Sequence, residues 1–369
     1  MTTSVHGSVP SATSCKIGLP APHSLFVNKT SLPLRPPGRA SVPASPNIRL
    51  SAPLLPLRRD WGRGEVSIRF RSALSPLCTF SFLSPWEWPI FAPQMAKIPL
   101  EDNFTDIIGK AQRGLKFSDE QLSQRASVSV AELQAVKGGE ANESVIRKLA
   151  SALGLGANAL ATSARKAWYP QPQALPGLVQ FNTPYEDMTV NAYLVWDEKA
   201  RQAVAFDTGA DARPMLDFAK SRGLRITIIL LTHTHPDHIA ELARLKKETG
   251  APAYVSQLEP TSGAENFKEG HSFTIGALRM ETRKTSGHSV GGITYVIAGL
   301  DHPVAVVGDS LFAGSMGGGG ISYPDALENN RKKILTLAGE TIICPGHGPL
   351  TTVGEEKQNN PFFPEFQNK

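Results

Sequence analysis

Residues 228–240 read IILLTHTHPDHIA, a run of aliphatic side chains that stops at His233, His235, Asp237 and His238. Three of the chain's nine histidines fall within six residues. His233 and His235 are two apart, so in extended backbone they point to the same side and can hold one metal ion. Asp237 and His238 follow the turn at Pro236 and can aim at a second position. Imidazole with carboxylate suits zinc, and also iron or manganese. Four desolvated polar side chains at a strand end would be costly without a cation to organise them.

Further ligands follow the same design of strand, small residue and ligand. TSGHSVGG offers His288, VAVVGDSLF offers Asp309, and IICPGHGPL offers His347. Gly287, Gly308 and Gly346 precede them and allow tight backbone turns close to a metal. Asp207 in FDTG also ends an apolar strand. It is either an orienting partner of a ligand or a turn-forming aspartate before Gly209. His271 and His302 sit in polar, loop-like stretches and read as surface residues. Cys344 lies inside an apolar strand and reads as core.

These residues need a scaffold. From Gly177 onward, strand-like runs alternate with loops and a few helices. LVQFN, TVNAYLVWD and QAVAFDTG read as consecutive strands, and RITIILLTH as a strand buried on both faces. DARPMLDFAKSRG reads as a helix capped by Asp211 and ended by Gly223. AELARLKKETG is a second helix, YPDALENNRKKILTLAG a long one, and TIICPGH the last strand. This order predicts an α/β fold of packed sheets with helices outside.

THTHPDH, GHS, GDSLF and PGHGP, in this order, resemble the metallo-β-lactamase superfamily over residues 177–363. The resemblance implies an αββα sandwich with a dinuclear site. It assigns His233, His235 and His288 to a first metal and Asp237, His238 and His347 to a second, with Asp309 bridging both. Asp237, His238 and Asp309 carry the catalytic assignment. The cofactors implied are two divalent ions, zinc before iron or manganese. The family includes β-lactamases, glyoxalase II thioesterases, lactonases, persulfide dioxygenases and nucleases. His238 argues against the β-lactamase branch. The ending PGHGPLTTVGEEKQNNPFF is similar to short glyoxalase II-like, or hydroxyacylglutathione hydrolase-like, proteins. The Gly-rich GSMGGGGISYP departs from the Arg-containing loop more usual after the bridging aspartate. That segment is expected to line the substrate mouth, with Tyr323 as a contact.

The expected activity is metal-assisted hydrolysis of a small-molecule thioester, in which water made acidic between two cations attacks a carbonyl carbon. A mononuclear iron persulfide dioxygenase is the first alternative. A DNA-binding regulator that senses a ligand through its metal domain is the second.

Residues 101–165 change to short helices. LSQRASVSVAELQAVKGGEANESVIRKLASALGL resembles the phage-repressor-type helix-turn-helix domain. The resemblance places Gln121–Ala126 in its first helix and Val130–Val136 in its recognition helix. Eight basic and eight acidic residues between Glu101 and Arg165 make the module neutral. Phosphate contacts supply most affinity for DNA, so a scaffold or dimerisation role is favoured, and a homodimer is left open.

Residues 1–94 hold 14 prolines, 14 serines and ten Lys/Arg against three Asp/Glu, whereas the remainder carries 28 basic and 30 acidic residues. The net charge of +5 therefore belongs to the first quarter. That quarter reads as a disordered tail. An organelle transit peptide, or translated upstream sequence before a natural start at Met95, are the other readings. Three scattered cysteines argue against a disulfide framework and for a reducing, cytoplasmic setting. No apolar run is long enough to cross a membrane.

Overall fold

The computed structural model describes residues 97–367. The expectations for residues 1–94 lie outside the described residues. None of the described helices is long and apolar enough to cross a membrane.

Five helices come first: α1 (Phe104–Gly114), α2 (Asp119–Ala126), α3 (Val130–Lys137), α4 (Glu143–Leu153) and α5 (Ala157–Ala164). Local chemistry sets their starts. Asn103, Ser118 and Ser129 each accept a backbone N–H of the first turn, and Asp106, Gln121 and Glu132 reach back to the cap amide. Each such reciprocal box satisfies two amides that the helix leaves unpaired. In α3, Glu132 is spent on this cap. Lys137 pairs with Asp119 at 2.8 Å, and Gln134 donates to the same carboxylate. The polar side chains that α3 would offer to DNA are thus engaged within the helices themselves.

Two six-stranded sheets follow. The first runs in the order β1 (Leu178–Tyr185), β2 (Met188–Asp197), β3 (Gln202–Phe206), β4 (Arg225–Leu230), β5 (Ala253–Ser256) and β6 (Glu265–Phe267). It is antiparallel through β3 and parallel from β3 onward. The second contains β7 (Ser272–Ile275), β8 (Leu278–Lys284), β9 (Ile293–Ala298), β10 (Val304–Gly308), β11 (Ile342–Pro345) and β12 (Thr351–Thr352), in the reverse spatial order. Only β10 and β11 pair in parallel there.

Alternation along the strands builds the layers. Tyr193 and Val195 of β2 face the inter-sheet core with Val304 and Val306 of β10 and Cys344 of β11. Leu194 and Trp196 face the other way, against α6 (Arg213–Ser221) and α8 (Leu242–Thr249). On the opposite side, Ala305 and Val307 join one apolar cluster with Ile107, Ile108, Leu149 and Leu160 of the first five helices. The layers are therefore helix, sheet, sheet, helix, and α1–α5 share a continuous core with the second sheet.

Some elements differ from the sequence expectation. The helix α6 begins after Ala212 as its N-cap, which has helical dihedrals, and Asp211, one residue earlier, still accepts the Arg213 amide at 2.9 Å. The long helix expected from Tyr323 is α9 (Tyr323–Asn329) followed by a π-type turn at Asn330–Ile334. The turn is where buried Asn330 donates to the Ser310 carbonyl at 2.7 Å. β12 and α10 (Val353–Asn359) extend the chain beyond the strand expected to be last.

Candidate metal centre

The polar residues collect at the carboxyl ends of β3, β4, β10 and β11, where parallel pairing aligns the strand ends. Phe206 is in register with Leu230, and Gly308 with Pro345. Asp207 follows β3, His233 follows β4, Asp309 follows β10 and His347 follows β11. The short helix α7 (Pro236–Ile239) has His235 as its N-cap and carries Asp237 and His238 in its single turn. His288 comes from the loop between β8 and β9.

The structure brings all seven sequence-predicted ligands together, as two groups. His233, His235, His288 and Asp309 each present a ligand atom within 4.8 Å of the others, and so do Asp237, His238 and His347. In the first group His235 Nδ1 lies 3.1 Å from His233 Nε2 and 3.0 Å from His288 Nε2. Asp309 Oδ2 is 3.3 Å from His288 Nε2. In the second, Asp237 Oδ2 is 3.4 Å from His238 Nε2 and 3.3 Å from His347 Nε2. Asp309 reaches this group too, with Oδ2 3.4 Å from His347 Nε2 and Oδ1 3.2 Å from His238 Nε2. It stands between the groups.

The outward ring nitrogens of four of these histidines have partners that orient the rings. His238 Nδ1 donates to Asp207 Oδ2 at 2.9 Å, His347 Nδ1 to the Thr189 carbonyl at 2.7 Å, and His288 Nδ1 to the Gly318 carbonyl at 3.1 Å. Thr232 Oγ1 donates to Asp207 Oδ2 and so can accept from His233 Nδ1 at 3.0 Å. In each case Nε2 is turned to the centre. Asp207 is thus an orienting partner. It also holds a left-handed backbone, φ 53°, so the turn reading applies to it as well.

Two glycines make room. Gly308 has φ 52°, a conformation that favours glycine. A Cβ on Gly346 would lie 2.0 Å from Asp309 Oδ1 and 2.7 Å from His238 Cε1.

The electrostatics divide the histidines. Burial holds the His233 and His288 imidazoles below their ordinary pKa, which keeps them neutral. Burial acts the same way on His238 and His347, but Asp309 outweighs it and pushes them up to about 10 and about 11. Burial also opposes charge on Asp309, yet His238 and His347 hold its carboxyl well below the usual carboxylate range. His238 Nε2 and Asp309 Oδ1 are nevertheless buried without a hydrogen-bond partner. Such atoms are costly to leave unpaired. Converging imidazole nitrogens, two carboxylates and these unpartnered atoms fit a pair of divalent cations, which would displace the protons that Asp309 holds on His238 and His347.

The other candidates separate cleanly. His271 and His302 are exposed and apart from the groups. Cys344 is fully buried, and burial raises its thiol pKa. Tyr323, expected at the substrate mouth, is instead buried, with its ring packed on Gly114. One neighbour escaped the sequence reading. Glu101 Oε2 lies 4.0 Å from His347 Nδ1. Its stretch, IPLEDNF, precedes α1 and carries no strand-end or glycine signal.

A model described as the metallo-beta-lactamase superfamily matches residues 185–347, a span that contains all seven ligands and Asp207. Probable metallo-hydrolase YqgX of Bacillus subtilis (strain 168) is 32% identical over 209 residues, covering 50% of this chain and 96% of that protein. Hydroxyacylglutathione hydrolase GloC of Haemophilus influenzae is 28% identical over 198 residues, covering 47% and 92%. The mitochondrial persulfide dioxygenase ETHE1 of Homo sapiens is 31% identical over 178 residues, covering 46% and 69%. The matched span begins after α5.

Proposed function

The chain belongs to the metallo-beta-lactamase superfamily, and from that premise we propose that it is a dinuclear metal-dependent hydrolase of thioesters, of the hydroxyacylglutathione type. The observation that carries this reading is Asp309, one carboxylate within 3.4 Å of imidazole nitrogens from both ligand groups. His233, His235 and His288 would hold one cation, and Asp237, His238 and His347 the other. When bound, the pair would supply acidified water and Lewis-acid polarisation of a carbonyl.

The chain's own residues prepare the site for that chemistry. Asp207, Thr232 and the carbonyls of Thr189 and Gly318 hold the Nδ1 protons of four histidines, so their Nε2 atoms stay free as ligands. Burial of His233, His238 and His347 keeps bulk water from competing for the centre. His235 is exposed and marks the side from which substrate enters. The net reaction adds water across the C–S bond. A C–O bond forms, the C–S bond breaks, and the thiolate takes up a proton.

The second reading is a mononuclear iron persulfide dioxygenase, motivated by the 31% identity to ETHE1. Metal analysis of the purified chain separates the two, alongside thioester turnover and oxygen uptake with a persulfide. Two metals per chain with thioester cleavage is the expected result. One iron with persulfide-dependent oxygen uptake would replace the hydrolase reading.

A further inference from the structure

We propose that Asp102 and Lys110 are positioning residues of the metal centre, so that the helical segment before the matched span is part of the ligand scaffold. Lys110 lies on α1, whereas the span that matches the superfamily begins only at residue 185. The proposal rests on the metal-binding part of the hydrolase assignment and not on its substrate.

After Asp309 the chain runs into four consecutive glycines, Gly317–Gly320. A glycine run has little conformational preference of its own, so the contacts that flank it set where it lies. Here its place matters to two ligands. A Cβ on Gly317 would lie 1.8 Å from the Asp309 carbonyl oxygen and 3.0 Å from His288 Nδ1, so this backbone passes close against both. The next residue, Gly318, accepts from His288 Nδ1 at 3.1 Å through its carbonyl.

Met316 is the last side chain before the run, and α1 holds it. Lys110 Nζ donates to the Met316 carbonyl at 2.9 Å and pairs with Asp102. The Asp102 carboxylate also accepts from Ser315 Oγ at 2.6 Å. Glu356 and Asn360 hold the Gly314 amide and the Ser315 carbonyl, further from the glycines. Lys110 Nζ also lies 5.0 Å over the Phe312 ring, and that ring stands perpendicular to His347 with centroids 5.6 Å apart. One residue past His347, a Cβ on Gly348 would lie 3.2 Å from the Glu101 amide nitrogen. The stretch from Glu101 to Lys110 thus bears on the residues that back His288, Asp309 and His347, ligands drawn from both groups. The Lys110 and Asp102 side chains are only 15% and 7% exposed. A buried ion pair adds little net stability once its desolvation is counted, and its best-attested use is to fix one arrangement of the chain. The arrangement fixed here is that of the loop behind the ligands.

Zinc affinity of the full chain, measured by chelator competition, tests this. Asp102→Asn with Lys110→Met removes both charges together, so neither is left buried alone. Zinc binding should weaken about tenfold, the lower end of the loss when a supporting partner of a ligand is removed. In the cobalt(II)-loaded protein the visible d–d bands, which report ligand geometry, should shift. Asp119→Asn with Lys137→Met breaks an ion pair that bonds only among the helices, and both readouts should stay at wild type. Wild-type affinity or unshifted bands in the first variant, or an equal loss in the second, overturns the proposal. If the first variant does not fold, Ser315→Ala decides. It removes one hydrogen bond to Asp102 and no charge, so weaker zinc binding supports the proposal and wild-type affinity overturns it. A wild type that binds neither zinc nor cobalt(II) would instead remove the metal-centre assignment itself, and the proposal with it.

Discussion

Asp207 Oδ2 lies 2.9 Å from His238 Nδ1, and both side chains are almost fully buried. The same carboxylate accepts the Thr232 amide and hydroxyl, each at 2.7 Å. Through Thr232 it also bears on His233. One aspartate outside the ligand set therefore orients a histidine of each group. Asp207→Asn keeps a residue that tolerates the left-handed backbone but adds N–H donors that oppose His238 Nδ1–H. Metal affinity should fall about 10- to 100-fold, with the circular dichroism spectrum unchanged. Chelator competition measures it, and wild-type affinity would return Asp207 to a purely structural role.

The packing around Asp309 makes a paired expectation. Gly346→Ala drives a Cβ into Asp309 Oδ1 and His238 Cε1, and neither the strand end nor the ligands can move apart without misplacing the centre. Bound metal and activity should drop together. Gly318→Ala points into open space and should retain its metals. Metal analysis of both purified variants decides the matter. Equal metal content in the two would mean that the backbone at Gly346 is freer than its contacts imply.

Asp309→Ala and Asp237→Ala probe the division into two groups. Asp309 faces both groups, so its removal should deplete both metals and abolish thioester hydrolysis. Asp237 faces only His238 and His347, so its loss should leave about one metal per chain and little activity. Either variant retaining two metals and full turnover would falsify the dinuclear assignment.

The ligand set was legible because its members follow strands, with a histidine or aspartate beside a small residue or a proline turn. The layers were legible from the periods of the strands and helices. Contacts made by backbone carbonyls were not. Nothing in residues 189 or 318 marks Thr189 and Gly318 as the partners of His347 and His288, because any residue type supplies a carbonyl. Glu101 was invisible for a related reason. It reaches His347 through the long-range packing of the segment before α1, without a local pattern. Nor did the neutral overall charge of the helices reveal that their cations lie unevenly, with three lining one cavity.

Glu356 gives the pH dependence of stability, away from the ligands. It is fully buried and accepts from the Gly314 amide, Thr351 Oγ1 and Asn360 Nδ2. Burial pushes its carboxyl up to about 8, from an ordinary value of 4.5. The folded state therefore holds this proton more tightly than the unfolded chain. The resulting stability is fully present below about pH 4.5 and is lost as the pH rises through about 8. Glu356→Gln removes the titration. Gln also replaces one acceptor oxygen with an NH₂ group, which should lower stability at every pH. The difference in Tm between wild type and variant should therefore be largest near pH 5 and shrink towards pH 8.5, as the wild type alone pays for ionising a buried carboxyl. Titrations elsewhere in the chain are common to both proteins and cancel in that difference. Thermal melts across this range measure it, and parallel profiles would show that Glu356 is ionised throughout, held by its three donors.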